Sequence, residues 1–404
     1  MEKNLQKLYT KIVEILRQDY AGAELYGDKF DPRYYTQSIG QAARDQVLTP
    51  LLFFRYVSQM LACIGDSHLR LELVPDEDYS PHQPGFRCRR FEDSLIVTEV
   101  LEDTRLKVGD VITAINGGSP SAHRRSIQKN FFFSEDPERE DWSGLLKMAQ
   151  TITLESGETL DLIQYPKTAE SRSPSLSIED GIAVIDPGLF DGRGAAAALL
   201  QANEEALRAC RRIVWDLRRG GGRAEEDILP LLPWLTAADS DEKSLLGPTD
   251  IYINYTPLNC ALRAAALEGL PGAEDYIAEL HAKAGKGFLR ETDEGEAIPV
   301  PGKAPAEVIV LTDTWCRDAG ELFVQTARRA GSRLIGRPTL GSLDFCGDHA
   351  LQLNSRFILH YPSAVTAEAR EGRGMQDTGI LPDEYIPFTP EECQEDILLG
   401  IALS

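Results

Sequence analysis

Asp318 lies in the stretch Asp313-Thr314-Trp315-Cys316-Arg317-Asp318-Ala319-Gly320-Glu321, directly after the buried-strand run Val308-Ile309-Val310-Leu311. A corner of this kind presents one side chain at its tip. A carboxylate there is a poor nucleophile toward an amide, because the acyl-anhydride it would form is short-lived. Cys316, two residues earlier, carries a thiol whose thiolate could attack. Two positions along a turn aims that side chain elsewhere, and a buried structural cysteine is the plainer reading. His68 closes the run Ile64-Gly65-Asp66-Ser67-His68. An imidazole suits general-base work because its unperturbed pKa lies near neutrality; a histidine that ends a helix and bonds a carbonyl is the alternative. Gly220-Gly221-Gly222 follows a buried strand and precedes a helical pattern. Amides freed there could donate to a developing oxyanion, or the run is a simple strand-to-helix turn. No Gly-Lys-Ser/Thr follows, and Glu225, Glu226 and Asp227 already place negative charge at the helix start, which argues against a phosphate.

These residues need a scaffold. Residues 1 to about 64 read as helical, with Leu5, Leu8, Ile12 and Leu16 and later Leu51, Leu52, Tyr56, Met60 and Leu61 at helical spacing, punctuated by Pro32 and Pro50. We expect an N-terminal helical cap, with its link to the core, over residues 1–79. From 80 to 166 the texture changes to short alternating strands separated by turn residues. Within it Leu106-Lys107-Val108-Gly109-Asp110-Val111-Ile112-Thr113-Ala114-Ile115-Asn116-Gly117 resembles the PDZ-domain signature. That resemblance puts Gly85 and Phe86 where a peptide-carboxylate loop begins; a module whose groove is filled by its own chain is the alternative. From 167 to 404 strands alternate with helices, among them an Ala-rich helix expected from Gly194 to Ala209 and another from about Glu225. Such alternation predicts an α/β core with a substantially parallel sheet. Residues 238–303, polar and Gly-rich with one expected helix near 273–284, read as an insertion or lid.

The bulk numbers narrow the function classes. A chain of 404 residues is long enough for two or three cores. A net charge of −22 repels phosphate backbones and anionic membrane surfaces, so neither nucleic acid nor membrane is an expected partner. No export signal or membrane span is read in the sequence. The 7 cysteines are scattered and odd in number, without a CxxC pair, so a reducing cytoplasm is expected, with no disulfide framework, metal site or cofactor.

Four segments, in order, carry a resemblance: Ile64-Gly65-Asp66-Ser67-His68, Trp215-Asp216-Leu217-Arg218 with the glycine run, the Asp318 turn, and Gly379-Ile380-Leu381-Pro382-Asp383. Together they resemble the tail-specific, or C-terminal-processing, serine peptidase family, including relatives akin to the tricorn core protease and the interphotoreceptor retinoid-binding protein. The resemblance implies a multi-domain α/β fold: helical cap, PDZ-like module and a protease core of crotonase-like (ClpP-like) type. It implies a polypeptide partner and leaves the oligomeric state open. It places the general base at His68, with Ser67 beside it, and the oxyanion amides at Gly221, Gly222 and Ala319. Gly220 stands where the family has Asn. The nucleophilic serine position, three residues before Glu321, is Asp318. The orienting carboxylate falls on Asp377, where the family has Glu, and the lysine of the other branch is absent because that segment reads Thr339-Leu340-Gly341-Ser342.

The expected protein is therefore a peptidase-like binder of polypeptides with impaired catalysis. An active hydrolase using Cys316 or a metal-bound water with His68 is one alternative, and a non-enzymatic carrier of small apolar ligands is another. If the family fold holds, His68, Asp318 and Asp377 converge; they either ligate a divalent metal or, more simply, Asp318 ion-pairs with His68 and shuts the site.

Overall fold

The computed structural model describes residues 2–404 except 30, 77, 78, 80, 128–135, 148, 168, 169, 248, 249, 293 and 294. Four helices, Glu2–Gln18, Ala23–Tyr26, Arg33–Arg44 and Pro50–Ala62, open the chain. The last starts where the sequence expects it. Pro50 occupies the first turn, where no N–H is needed, and the Thr49 side chain accepts from Leu52 N at 3.1 Å. Ile12, Phe53, Val57 and Leu61 turn inward onto Leu71, Phe357 and Leu359 of a five-stranded sheet. The helices end in a loop that carries His68, and the next strand, Arg70–Leu73, pairs antiparallel with Phe357–Thr366.

That sheet also takes strands from the segment expected to be a lid. Ile251–Tyr255 pairs with both Phe357–Thr366 and Gly287–Glu291. The helix Glu274–Lys283 is present, and so is a second, Pro257–Leu267, that the sequence reading did not mark. The described elements within 238–303 thus form part of a packed layer, with Ile253, Tyr255, Cys260 and Leu280 in a small core that also takes Ala364. The polar composition that suggested a lid belongs to the turns and outer faces of these elements.

Residues 86–161 contain a five-stranded antiparallel sheet, Phe86–Phe91, Ser94–Val100, Val111–Ile115, Thr151–Leu154 and Thr159–Asp161, ordered along the sheet as along the chain. Alternation supplies its inner face: Phe86, Cys88, Leu95, Val97, Ile112 and Ile152 pack with Trp142 and Leu145 from a short helix.

The third sheet is six-stranded, in the order Glu384–Tyr385, Arg333–Gly336, Glu307–Thr312, Arg212–Asp216, Ile182–Asp186 and Ser175–Glu179. Its pairings are parallel except the last. Runs such as Ile213-Val214-Trp215 are wholly buried, as strands covered on both faces must be. Ala319–Arg329 covers one face and Ile397–Leu403 the other. The expected long Ala-rich helix is broken into Ala195–Ala202 and Glu204–Arg208 at Asn203, whose amide bonds back to the Leu199 carbonyl at 2.8 Å. The segment from Glu225 is a 3-10 helix, Glu225–Trp234, because Pro230 and Pro233 lack the N–H groups a regular helix requires. Among the described residues no helix is long and apolar enough to cross a membrane.

Candidate active site

Strand Glu307–Thr312 delivers the chain to a tight turn, and helix Ala319–Arg329 leaves it. Asp318 stands at the junction with φ 51° and ψ −128°. A side chain at positive φ is strained by roughly 1–3 kcal/mol and persists only where its surroundings fix it. Those surroundings are identifiable. The Asp318 amide donates to the Ser342 hydroxyl at 2.6 Å, and that hydroxyl donates to Glu321 at 2.7 Å. Glu321, with no exposed surface, also accepts from the amides of Gly341 and Ser342 at 2.7 and 2.6 Å and from the Thr339 hydroxyl. Burial raises its pKa, with these donors pulling the other way. Loop 339–342 and the Asp318 corner are thereby locked to one buried carboxyl.

The glycine run lies directly against this corner. The Gly220 carbonyl accepts from Arg317 N at 3.0 Å. Gly320 packs so closely that a β-carbon on it would sit 2.5 Å from the Gly220 carbonyl carbon and 2.8 Å from Gly221 N. Gly221 and Gly222 pair in parallel with Leu189 and Phe190, and Gly222 at φ 113° has no room for a side chain. Ala319 is the first helical residue, so its N–H has no intrahelical acceptor. The three amides expected to face an oxyanion therefore belong to one contiguous corner.

His68 faces Asp318 across the gap. Its Nε2 lies 3.8 Å from Asp318 Oδ1, with the two side chains 11% and 24% exposed. Its Nδ1 is 3.0 Å from Asp66 Oδ1, the same oxygen that accepts His68 N at 2.9 Å. Asp66 in turn accepts from the Tyr20 hydroxyl at 2.9 Å. Burial alone would lower the His68 pKa. The hydrogen bond and charge of Asp66, then the charges of Asp348 and Asp318, outweigh it and push the imidazole up to about 9. At neutral pH the ring is an imidazolium between carboxylates.

Asp377 makes its observed contacts with groups other than the imidazole. Its exposed carboxylate lies 3.7 Å from Lys29 Nζ, and its carbonyl accepts from Arg139, while Asp66 occupies the orienting position at His68. Ser67 is exposed, pointing to the cleft rather than supporting His68. The Asp66 contact left only a weak trace in the sequence: Asp-x-His is a spacing at which an aspartate can accept from the amide two residues on. Cys316 is fully buried, its Sγ 3.5 Å from where a β-carbon on Gly220 would sit, and burial pushes its thiol well above the usual range. It is not placed to attack. Among the described residues no group of three or more His, Cys, Asp or Glu side chains is arranged to hold a metal ion.

Gly85 and Phe86 are enclosed by their own chain. The Gly85 carbonyl accepts from the amides of Leu101, Glu102 and Asp103, a β-carbon on Gly85 would meet Asp103 N at 2.6 Å, and the Phe86 ring is buried in the β unit. The β unit meets the core elsewhere. Asp313, at the start of the Asp318 turn, is buried between Arg89 at 2.5 Å and Arg337 at 3.0 Å. Burial would raise its pKa, but the two guanidinium groups hold it below the usual carboxylate range. Glu138 of the β unit approaches both arginines, at 3.3 and 3.4 Å, and accepts from Phe388 N at 2.8 Å. Next to it Arg139 donates to the carbonyls of Leu340, Gln376 and Asp377. Between these parts lies a cleft of about 890 Å³, lined by residues including Lys29, Ser67, Asp136, Arg139, Leu340 and Asp377.

No protein-family model matches the sequence, and no curated protein matches it. Solved structures do. Mature CPAF complexed with lactacystin superposes with a TM-score of 0.70 at 11% identity, covering 99% of this chain and 97% of that one. Mature CPAF by itself gives 0.66 at 11% identity, with 99% and 96% covered. The photosystem II D1 C-terminal processing protease matches at 0.45 and 13% identity, with 96% and 94% covered. At such identities the CPAF matches show a shared fold over essentially the whole chain: a mixed helix and multi-sheet architecture of the kind found in that protein.

Proposed function

We propose that this chain is a peptidase-like protein that binds polypeptide segments and whose amide-bond hydrolysis is impaired because Asp318 occupies the nucleophile corner. The observation that carries this reading is the Asp318 corner itself. Its strained backbone, its abutting glycine run and its imidazole at 3.8 Å are the parts an acyl-transfer site needs, with a carboxylate in place of an alcohol. The catalytic positions in this reading are His68, Asp318 and the Gly221, Gly222 and Ala319 amides, with Asp66 as the positioning residue. Asp377 is not needed for the imidazole.

The fold shared with CPAF and the cleft support a polypeptide occupant. A cleft lined by Lys29, Asp136, Arg139 and Asp377 offers charge and hydrogen bonds, which suits a peptide main chain better than a small apolar ligand. In the same reading residues 1–79 form the cap, 80–166 a PDZ-like module serving as structural support, and 167–404 a crotonase-like core. The 7 free cysteines suit a cytoplasmic setting.

The test is Asp318→Ser, which puts a hydroxyl at the corner. We expect the variant to react with a fluorophosphonate probe while the parent chain does not. A folded Asp318→Ser protein that stays unlabelled would overturn the assignment of the corner.

A further inference from the structure

A carboxylate that is badly matched to an amide is well matched to a different electrophile. Attack on an amide carbonyl gives an anhydride that reverts or hydrolyses, whereas attack on a saturated carbon bearing a strained C–O bond gives an alkyl ester that does not revert. Such a reaction needs a reachable carboxylate, a proton donor for the departing oxygen, and machinery to hydrolyse the ester. The corner has each. The Asp318 side chain is 24% exposed, and its Oδ1 is 3.8 Å from His68 Nε2. Asp66, itself fixed by Tyr20, holds the other ring nitrogen at 3.0 Å. The N–H of Ala319, the residue after Asp318, opens an 11-residue helix and has no intrahelical acceptor.

We propose that Asp318 is a carboxylate nucleophile toward small terminal epoxides, with His68 as proton donor and then as base, so that the site hydrates epoxides to diols. An Asp318 oxygen bonds to one ring carbon, and the C–O bond of the ring breaks with its electron pair on oxygen. That oxygen takes the proton from His68 Nε2. His68, now neutral, removes a proton from water, whose oxygen adds to Asp318 Cγ, and the oxyanion formed is met by the Ala319 amide. Collapse breaks the ester bond, and the leaving alkoxide takes the proton back from His68. The carboxylic acid left at Asp318 returns its proton to the ring, so epoxide and water have become diol. The charged groups facing His68 are Asp66 from its own loop, Asp318 from the corner and Asp348 from strand Phe345–Gln352; each favours the protonated ring that the first step requires.

This activity does not depend on polypeptide binding, and it is tested separately. The full chain is incubated with 1,2-epoxy-3-(4-nitrophenoxy)propane in oxygen-18-labelled water. Diol is then quantified and the Asp318 peptide weighed by mass spectrometry. We expect diol formation and, under single turnover, heavy oxygen in Asp318 rather than in the diol. Asp318→Asn, with folding checked by circular dichroism, should lower diol formation to the buffer rate. Should the variant not fold, the isotope in the parent chain still decides. Parent protein that yields neither diol above buffer nor a labelled or esterified Asp318 overturns the proposal, whether or not it binds peptides.

Discussion

Two aspartates five residues apart on one turn have opposite surroundings. Asp313 is buried, clamped by Arg89 and Arg337, and joins the β unit to the core. Asp318 is partly open, sits on strained backbone, and faces an imidazolium that carboxylates keep protonated. The first arrangement is what a structural charge looks like: multiple short contacts and little exposure. The second holds a reactive geometry at the expense of local stability. A separation of five residues thus divides the joint of the molecule from its candidate chemistry.

Breaking the joint has the largest expected effect. Asp313→Ala leaves two buried guanidinium groups short of a partner and should destabilise the fold by about 3–5 kcal/mol, read from urea denaturation. Removing the lock between the two regions comes next. Glu321→Ala strands the donors of Thr339, Gly341 and Ser342, and we expect a loss of about 2–3 kcal/mol in the same assay.

The open end responds to pH instead. Because the His68 pKa is raised from 6.5 to about 9, the folded state binds this proton more tightly than the unfolded chain. Its contribution, on the order of 3 kcal/mol, is complete below the unfolded value and is lost as pH rises through the folded one. The Tm difference between parent and His68→Gln should therefore be largest below pH 6.5 and close as the pH rises to about 9. Asp318→Gly relieves the positive φ and should stabilise the protein by about 1 kcal/mol, the opposite sign to any change at Asp313. Lys29→Ala removes an exposed contact to Asp377 and should change stability by less than about 0.5 kcal/mol, leaving the His68 titration unmoved.

Much of this contrast is legible in the sequence. The parallel core followed from buried runs such as Ile213-Val214-Trp215, and the corner from Val308–Leu311 leading into a helix. What escaped the sequence was settled by local geometry. Asp66 orients His68 through a two-residue turn, a contact that requires a loop conformation no periodicity reports. Asp377 has the right residue type near the right motif, yet Lys29, more than 300 positions away, takes its carboxylate. Strand Ile251–Tyr255 finds a partner at 364–366, a pairing invisible to local pattern. Asp313 drew no attention because both its arginines are remote in sequence, one in the β unit.

The account rests most directly on the charge state of one ring. A proton-detected NMR titration of His68, assigned through His68→Gln and repeated in Asp66→Asn, should show an imidazole that titrates near 9 in the parent and distinctly lower once the carboxylate bonded to its Nδ1 is gone. An imidazole near its ordinary value of 6.5, unchanged by the substitution, would contradict it.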